Sequence, residues 1–260
     1  MPKRTLGQGM PRLPLAETAR DARPAATDDI MVLPAGDVME TLGALPGRVT
    51  TTILDPWYNK GVGGRREDYD HWLLSVVGAT AECSEHIFVW GFPEILCHIV
   101  PKLPRRLQLV AWLTWYYKNC PSVIRGWRSS QLVCLHLAHP GARLYPEHFL
   151  NERQLQKQRE GKLRYMPGPL SVIEAPLLVG FVGRSEQCGH PAQKPLKVFE
   201  PLVLMTTQEQ DMVLDPFCGS GTTGVVCCAL NRRAILSDVS EEYVEMTRQR
   251  LGLPALASVA

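Results

Sequence analysis

The sequence feature that most constrains the fold is a segment in which an apolar run, a glycine loop and a helical pattern follow one another. The run MVLDP leads into Phe217-Cys218-Gly219-Ser220-Gly221, and TTGVVCCAL then continues with helical spacing. The two glycines permit a tight turn and let the backbone approach a ligand closely. The N-terminus of the following helix offers unpaired N–H groups to a carboxylate or phosphate. The segment predicts a strand–turn–helix unit of an α/β sheet, although for the loop alone an ordinary strand-to-helix turn is an open alternative.

The residues around the glycine loop narrow the class of ligand. The loop lacks the Gly-Lys-Ser/Thr ending of a P-loop and the complete GxGxxG fingerprint of dinucleotide-binding proteins. The next apolar run ends at Asp238, about twenty residues further on, where a carboxylate can hold the two hydroxyl groups of a ribose. A nucleoside without a pyrophosphate fits this pattern better than NAD does. S-adenosylmethionine has that shape, with a zwitterionic amino acid end for the loop.

Apolar runs alternate with helical patterns from Ile30 onward, which predicts an α/β fold with a mostly parallel, twisted sheet flanked by helices. Strands are predicted in IMVLPAGD, VTTTILDPWY, HIFVWG, LQLVAWLTWYYK, SSQLVCLHLA, DMVLDP and AILSD, and helices in YDHWLLSVVGATAEC, near residues 94–100, in TTGVVCCAL and in SEEYVEMTRQRL. A chain of 260 residues is long enough for one such domain with an insertion.

Composition and charge argue against several classes of protein. The formal charge of +2 is too small to indicate nucleic-acid binding by itself, so any basic surface has to be local. The eight cysteines form no CxxC pair, and we expect neither a disulfide framework nor a metal site. The chain has no signal-peptide pattern and no stretch that approaches the ~20 apolar residues needed to span a bilayer. We therefore expect a cytoplasmic protein without a membrane partner.

A second ligand-binding pattern lies at Asp55-Pro56-Trp57-Tyr58, which also ends an apolar strand. Pro56 cannot continue a central strand, so the chain leaves the sheet at this point. The Asp55 carboxylate and the Pro56 carbonyl can accept hydrogen bonds from an NH2 group, while Tyr58 can stack on a ring. The tetrapeptide predicts a site for a flat, amine-bearing substrate, and a plain turn is the alternative for these four residues alone.

Together the two patterns resemble the beta-class DNA amino-methyltransferases. In that family a DPPY-type tetrapeptide, here DPWY, precedes the cofactor loop, here DPFCGSGTT, by a long interval, here about 160 residues. Three further segments resemble family motifs in the same order, namely Gly36-Asp37, the tWyK-like strand at 113–118 and the HPtqKP-like segment at 190–195. The resemblance spans about 31–251 and implies a Rossmann-like, S-adenosylmethionine-dependent methyltransferase fold with a small target-recognition insertion.

The resemblance implies roles for individual residues. The catalytic residues would be Asp55, Pro56, Trp57 and Tyr58. Trp57 replaces the second proline of the family motif, and we expect its bulk to alter the shape of the base pocket. The cofactor would be S-adenosylmethionine, bound by Asp37, Lys194, Asp215, Phe217, Gly219, Gly221, Thr222 and Asp238.

The resemblance also divides the chain and places the DNA contacts. We expect a flexible arm at 1–29, a catalytic half at 30–140, a target-recognition region at 141–188, a cofactor-binding half at 189–253 and a tail at 254–260. Residues 141–197 carry nine Lys/Arg and five Glu, a net charge of +4, for which a solvated helix is the alternative explanation. Side chains expected to grip phosphates are Arg143, Arg153, Lys157, Arg159, Lys162 and Arg164. We expect Phe149 and Tyr165 to form the core of a small lobe rather than wedges between bases.

The implied reaction is direct methyl transfer to the exocyclic amine of a base flipped out of double-stranded DNA. The acidic residue Asp55 favours the N6 amine of adenine, since N4-cytosine enzymes more often begin the tetrapeptide with Ser. N4-cytosine methylation is the first alternative, and a catalytically inactive DNA-binding relative is the second. A homodimer and a cognate restriction endonuclease are further candidate partners, in a bacterial or phage-like cell.

Overall fold

A computed structural model describes residues 29–60, 64–120 and 126–255. The predicted arm, apart from residue 29, and the tail beyond residue 255 lie outside the described residues. The strands are β1 Ile30–Val32, β2 Val49–Leu54, β3 Ser84–Gly91, β4 Gln108–Tyr116, β5 Gln131–Ala138, β6 Val172–Glu174, β7 Met212–Asp215 and β8 Arg233–Leu236. The helices are α1 Val38–Gly43, α2 Tyr69–Cys83, α3 Pro93–Ile99, α4 Glu152–Arg159, α5 Leu196–Thr206, α6 Thr222–Ala229 and α7 Glu241–Arg250, with 3-10 turns at Val100–Lys102 and Pro146–Phe149.

The eight strands form one sheet in the order β1-β8-β7-β2-β3-β5-β4-β6. Only β5 runs antiparallel to its neighbours, and every other pair in the sheet is parallel. The predicted α/β fold with a mostly parallel sheet is confirmed. β1 lies beside β8 and β2 lies beside β7, so the two halves expected from the sequence contribute neighbouring strands to a single sheet.

Helices cover both faces of the sheet because the central strands are apolar on both sides. Along β2, Ile53 packs with residues of α5, α6 and α7, while the adjacent Leu54 packs with residues of α1, α2 and α3. The helix α2 buries Leu73, Val76, Val77 and Thr80, the spacing of one helical stripe. Each such Leu or Val contributes ~1.5–3 kcal/mol by its burial.

The direction of each strand decides which loops meet. We call the edge at which β2, β3, β7 and β8 end the carboxyl edge, and the opposite edge the amino edge. Gly91 pairs with Val133, so β5 begins at the carboxyl edge and ends at the amino edge. β4 ends beside the start of β5, and β6 ends beside the end of β4. The described residues of the loop 117–130 (117–120 and 126–130) and the start of the segment 175–195 therefore lie at the carboxyl edge as well. Within the described ranges, no helix is both long enough and apolar enough to cross a lipid bilayer.

Candidate active site

The predicted catalytic tetrapeptide and the glycine loop leave the sheet side by side. β2 and β7 are parallel neighbours, with Thr51 opposite Val213 and Thr52 opposite Leu214. The helix α5 ends at Thr206, whose hydroxyl accepts a hydrogen bond from Thr51 near the start of β2, so this end of α5 lies toward the amino edge. The segment 189–195 leads into the other end of α5 and therefore lies at the carboxyl edge. Three stretches that are distant along the chain thus meet at the carboxyl edge.

Asp55 is the centre of a buried polar cluster. Tyr58 Oη donates to Asp55 Oδ1 at 2.5 Å, and Lys194 Nζ lies 2.6 Å from Asp55 Oδ2. The Lys194 and Asp55 side chains are only 5% and 12% exposed, and the Lys194 ammonium also lies 5.2 Å from the centroid of the Tyr58 ring. Burial and the adjacent Asp55 carboxylate raise the pKa of Tyr58 well above its ordinary value. The phenol is therefore a permanent donor that orients the carboxylate.

Trp57 points away from this cluster. Its ring packs at 4.7 Å from Trp72 and 5.4 Å from Tyr69, and Tyr69 Oη donates to the Trp57 carbonyl at 2.5 Å. Tyr58 instead packs against Phe92, at 5.2 Å. The two consecutive rings belong to apolar clusters on opposite faces of the sheet. The indole anchors the catalytic loop to α2, and the effect of its bulk on the base pocket stays a prediction.

The glycine loop is held in a conformation that requires glycine. Gly219 and Gly221 have φ of +49° and +74°. A Cβ at Gly219 would lie 3.0 Å from His190 Nε2, and one at Gly221 would lie 2.9 Å from the Thr247 methyl group. Phe217 N donates to Asp215 Oδ1 at 3.0 Å, and the Thr223 hydroxyl donates to the other oxygen of that carboxylate.

Two acidic residues tie the neighbouring loops together. Burial raises the pKa of Asp215 to about 7, and it also raises the pKa of Asp238 above its ordinary value. The Asp238 carboxylate accepts hydrogen bonds from Gly219 N and Ser240 N, both at 3.0 Å. Asp238 is also close to the β1 loop, since Gly36 N donates to its carbonyl at 3.0 Å.

The predicted cofactor residues converge at this edge. Asp37 follows Gly36 and caps α1, where it accepts from Met39 N at 2.8 Å and leaves its carboxylate exposed. The Thr222 hydroxyl donates to the Lys194 carbonyl at 3.0 Å, which joins the segment 189–195 to the start of α6. Lys194 is predicted to lie beside the cofactor; its ammonium contacts Asp55 and its carbonyl contacts the start of the glycine-loop helix, and the cofactor contact stays a prediction.

Two residues of the site, His190 and Arg250, are not among the site residues predicted from the sequence. His190 lies against Gly219, and burial together with the Lys194 ammonium lowers its pKa. Arg250 Nη1 donates to the Ser220 carbonyl at 2.9 Å from the far end of α7. His190 lies inside the HPAQKP segment, which could have indicated it, whereas Arg250 is one of many helical arginines.

The six basic residues expected to grip DNA make no contact with the catalytic cluster in the described parts of the chain. Arg143 follows the end of β5 at the amino edge, where its carbonyl lies 3.0 Å from His86 Nε2 and its guanidinium 3.4 Å from Glu147. The helix α4 and its flanks carry Arg153, Lys157, Arg159, Lys162 and Arg164. α4 buries no residue, and its hydrogen bonds within the described chain are local, such as the capping box at Asn151. The structure does not join these residues to the catalytic cluster.

The expectation of a small lobe with its own core is wrong for one of its two aromatic residues. Tyr165 is 76% exposed and therefore belongs to no core. Phe149 is half-buried at the end of the second 3-10 turn.

Comparison with known proteins gives concordant matches over most of the chain. Residues 106–249 match the family model N6_N4_Mtase, described as DNA methylase. The type II methyltransferase M.HpaI of Haemophilus parainfluenzae is 33% identical over 214 residues, which cover 76% of this chain and 67% of that protein. The DNA adenine methyltransferase YhdJ of Escherichia coli strain K12 is 25% identical over 242 residues, 83% of this chain and 81% of that protein.

Solved structures share the fold. The crystal structure of the M1.HpyAVI–SAM complex superposes with a TM-score of 0.66 and 21% identity, covering 86% of this chain and 100% of that one. The PvuII DNA methyltransferase, a cytosine-N4-specific enzyme, gives a TM-score of 0.62 at 17% identity, covering 88% of this chain and 90% of that one.

Proposed function

The chain belongs to the DNA methylase family, and we propose that it transfers a methyl group from S-adenosylmethionine to the N6 amine of adenine in double-stranded DNA. The observation that carries the proposal is the Asp55 carboxylate, oriented by Tyr58 and Lys194 beside the glycine loop. A carboxylate next to a rigid carbonyl and an aromatic ring matches an amine on a flat ring.

The predicted cofactor is S-adenosylmethionine, and two solved structures that share the fold are complexes with it. The residues at the carboxyl edge fit it. Gly221 provides no side-chain cap for α6, so the N–H groups of its first turn can receive a carboxylate. Asp238 keeps lone pairs free for ribose hydroxyls after its two amide contacts, and Asp37 and Phe217 would flank the adenine. When bound, the cofactor supplies an electrophilic methyl group on a sulfonium.

The chain's own residues position and deprotonate the amine in this proposal. Tyr58 stacks on the flipped base and offsets ~1–3 kcal/mol of the flipping cost. Asp55 accepts one N–H without losing Tyr58 or Lys194, since a carboxylate has about four lone-pair sites. The Pro56 carbonyl accepts the other N–H. The bound cofactor would supply the methyl group and keep its sulfur as a neutral thioether, and Asp55 would accept the proton that the amine releases when the new N–C bond forms. Positioning of the amine by these acceptors would supply most of the rate enhancement.

Adenine is the proposed base because the tetrapeptide begins with an acid, and because the relative YhdJ is a DNA adenine methyltransferase. N4-cytosine methylation is the second candidate, favoured by the likeness in fold to the cytosine-N4-specific PvuII enzyme. Both amines present two N–H groups on a flat ring, so the same acceptors would serve either base.

Nucleoside analysis tests the proposal. The purified chain is incubated with unmethylated bacterial DNA and S-adenosylmethionine, and the digested nucleosides are quantified by mass spectrometry. We expect N6-methyldeoxyadenosine from the wild type and almost none from Asp55→Asn. N4-methyldeoxycytidine would replace adenine by cytosine as the substrate. If the protein still binds the cofactor but yields neither methylated nucleoside, the assignment to DNA methylation is overturned.

A further inference from the structure

Two loops at the carboxyl edge of the sheet carry large aromatic side chains that the fold does not cover. Trp127 in the loop 117–130 is 99% exposed, and Phe181 in the segment 175–195 is 83% exposed. A buried Trp or Phe removes roughly 150–250 Å² from water, so exposing both forgoes much of what these residues can contribute to folding.

The two loops are joined at their bases. Asn119 Nδ2 donates to the Leu177 carbonyl at 2.9 Å, and Leu177 N donates to Asn119 Oδ1 at 2.8 Å. Tyr117 N donates to the Ser130 carbonyl at 2.9 Å and closes the first loop. Both exposed rings are therefore carried by loops anchored at the carboxyl edge, the edge at which β2 leads into Asp55.

Arginine accompanies each exposed ring. Arg128 is exposed directly after Trp127, and it has no acidic partner among the residues that the structure describes. The Arg184 guanidinium lies 4.5 Å from the centroid of the Phe181 ring. The loop 117–130 contains three Lys/Arg and no Asp or Glu. Val179 and Val182 beside Phe181 are also exposed. The guanidinium groups next to both rings, and the absence of Asp and Glu from the loop 117–130, favour a polyanionic partner over an apolar protein surface.

We propose that Trp127, Arg128, Phe181 and Arg184 form a ridge that contacts double-stranded DNA beside the catalytic loop. The inference rests on the proposed function, because it assigns how the DNA of that site is held. The two guanidinium groups bind backbone phosphates, and the two rings stack on bases that lose their neighbour when the target flips out. Other DNA-bending proteins use the same combination, with arginine in the minor groove and an apolar side chain such as Phe inserted between base steps.

The test measures DNA binding without methyl transfer. Fluorescence anisotropy follows the intact chain binding to a short, labelled duplex of mixed sequence over a series of salt concentrations. We expect Trp127→Ala with Phe181→Ala to weaken binding about tenfold, the loss of roughly one stacked base. Arg128→Ala and Arg184→Ala should each lower the slope of log K against log salt by about 0.9.

Matched variants keep the outcome decisive. Trp127→Phe should retain most of the affinity, and Trp112→Ala, on the exposed part of β4, should bind as the wild type does. Since all four ridge residues are at the surface, thermal unfolding and calorimetric binding of S-adenosylmethionine should be unchanged. Wild-type affinity and slope in the ridge variants would overturn the proposal. A changed oligomeric state in sedimentation, with DNA binding intact, would assign the ridge to a second copy of the chain instead.

The result is separable from the proposed reaction. A wild-type chain that binds the duplex through the ridge but yields no methylated nucleoside would refute the methylation and leave the DNA surface standing. If instead the ridge variants bind the duplex normally and still yield methylated nucleosides, the ridge is refuted and the methylation stands.

Discussion

At the carboxyl edge Asp55, Lys194 and Asp215 are almost wholly buried, and each has a charged or hydroxyl partner. In the basic arm, residues 151–164, no residue is buried, and the ion pair of Lys162 is with a neighbour two positions away. A buried charge has to be paired, whereas a solvated one costs little when left alone. Burial therefore dictates one geometry for the first region and leaves the second region free to choose its contacts.

Replacing Asp55 should separate the two regions most strongly. Asp55→Ala removes the acceptor that orients the amine, and we expect a loss of turnover of about 10²–10³-fold. Arg159→Ala in the basic arm should leave turnover at saturating DNA unchanged. Initial rates of radiolabelled methyl transfer to genomic DNA measure both.

Asp55→Asn controls for folding, because Asp55→Ala would strand the buried Lys194 ammonium. The asparagine variant should fold and bind S-adenosylmethionine by calorimetry while remaining slow. Equal losses in the Asp55 and Arg159 variants would erase the distinction between the regions.

The two lysine pairs give a second, smaller contrast. Lys194→Met breaks the buried pair with Asp55 and should cost ~3–5 kcal/mol of unfolding free energy. It should also lower kcat strongly and change the KM for DNA little, because Asp55 loses its orientation. Lys162→Met removes the exposed pair with Glu160 and should give no measurable change in urea unfolding. A Lys194→Met chain as stable as the wild type would show that Lys194 does not hold the catalytic loop.

How far the sequence predicts each region follows from the same contrast. The glycine loop and the Asp55 tetrapeptide are local patterns in which residue type and spacing already specify a turn after a strand. The contact between Lys194 and Asp55 depends on topology, which no local pattern contains. The direction of β5 is also absent from its apolar run, because such a run indicates a strand but not its neighbour. The position of Trp127 beside the site was therefore not predictable.

The excess of Lys and Arg in the sequence predicts that the basic arm is positively charged, but it does not predict what the arm contacts. The side chains of α4 satisfy their hydrogen bonds locally or in water, so nothing in the sequence chooses between a solvated helix and a DNA contact. Tyr165 shows the same limit, since its residue type favours a core but the structure leaves it exposed.

A pair of glycines sharpens the comparison at the level of the backbone. Gly221 and Gly161 have nearly the same φ, +74° and +66°. A Cβ at Gly161 would meet open space, whereas one at Gly221 would lie 2.9 Å from the Thr247 methyl group. Gly161→Ala should lower the free energy of unfolding by only about 1 kcal/mol, the strain of an alanine in the left-handed region. Gly221→Ala should cost ~1–3 kcal/mol more through overpacking, and should weaken cofactor binding.

Chemical unfolding and calorimetry with S-adenosylmethionine measure the two glycine effects separately. Equal unfolding costs would mean that Thr247 moves aside freely and that the loop is not tightly packed. Unchanged cofactor affinity in Gly221→Ala would remove the glycine loop from the proposed binding site.

The smallest expected effect belongs to the basic arm itself. Replacing Arg153, Lys157 and Arg159 together by Ala should leave the fold intact, because Ala favours the helix. If the arm grips DNA as the sequence suggests, the slope of log K against log salt should fall by about 0.9 for each side chain that reaches a phosphate, with kcat unchanged. An unchanged slope would identify α4 as a solvated helix. The DNA surface would then lie at the carboxyl edge, where Arg128 and Arg184 stand beside the loops that hold Asp55.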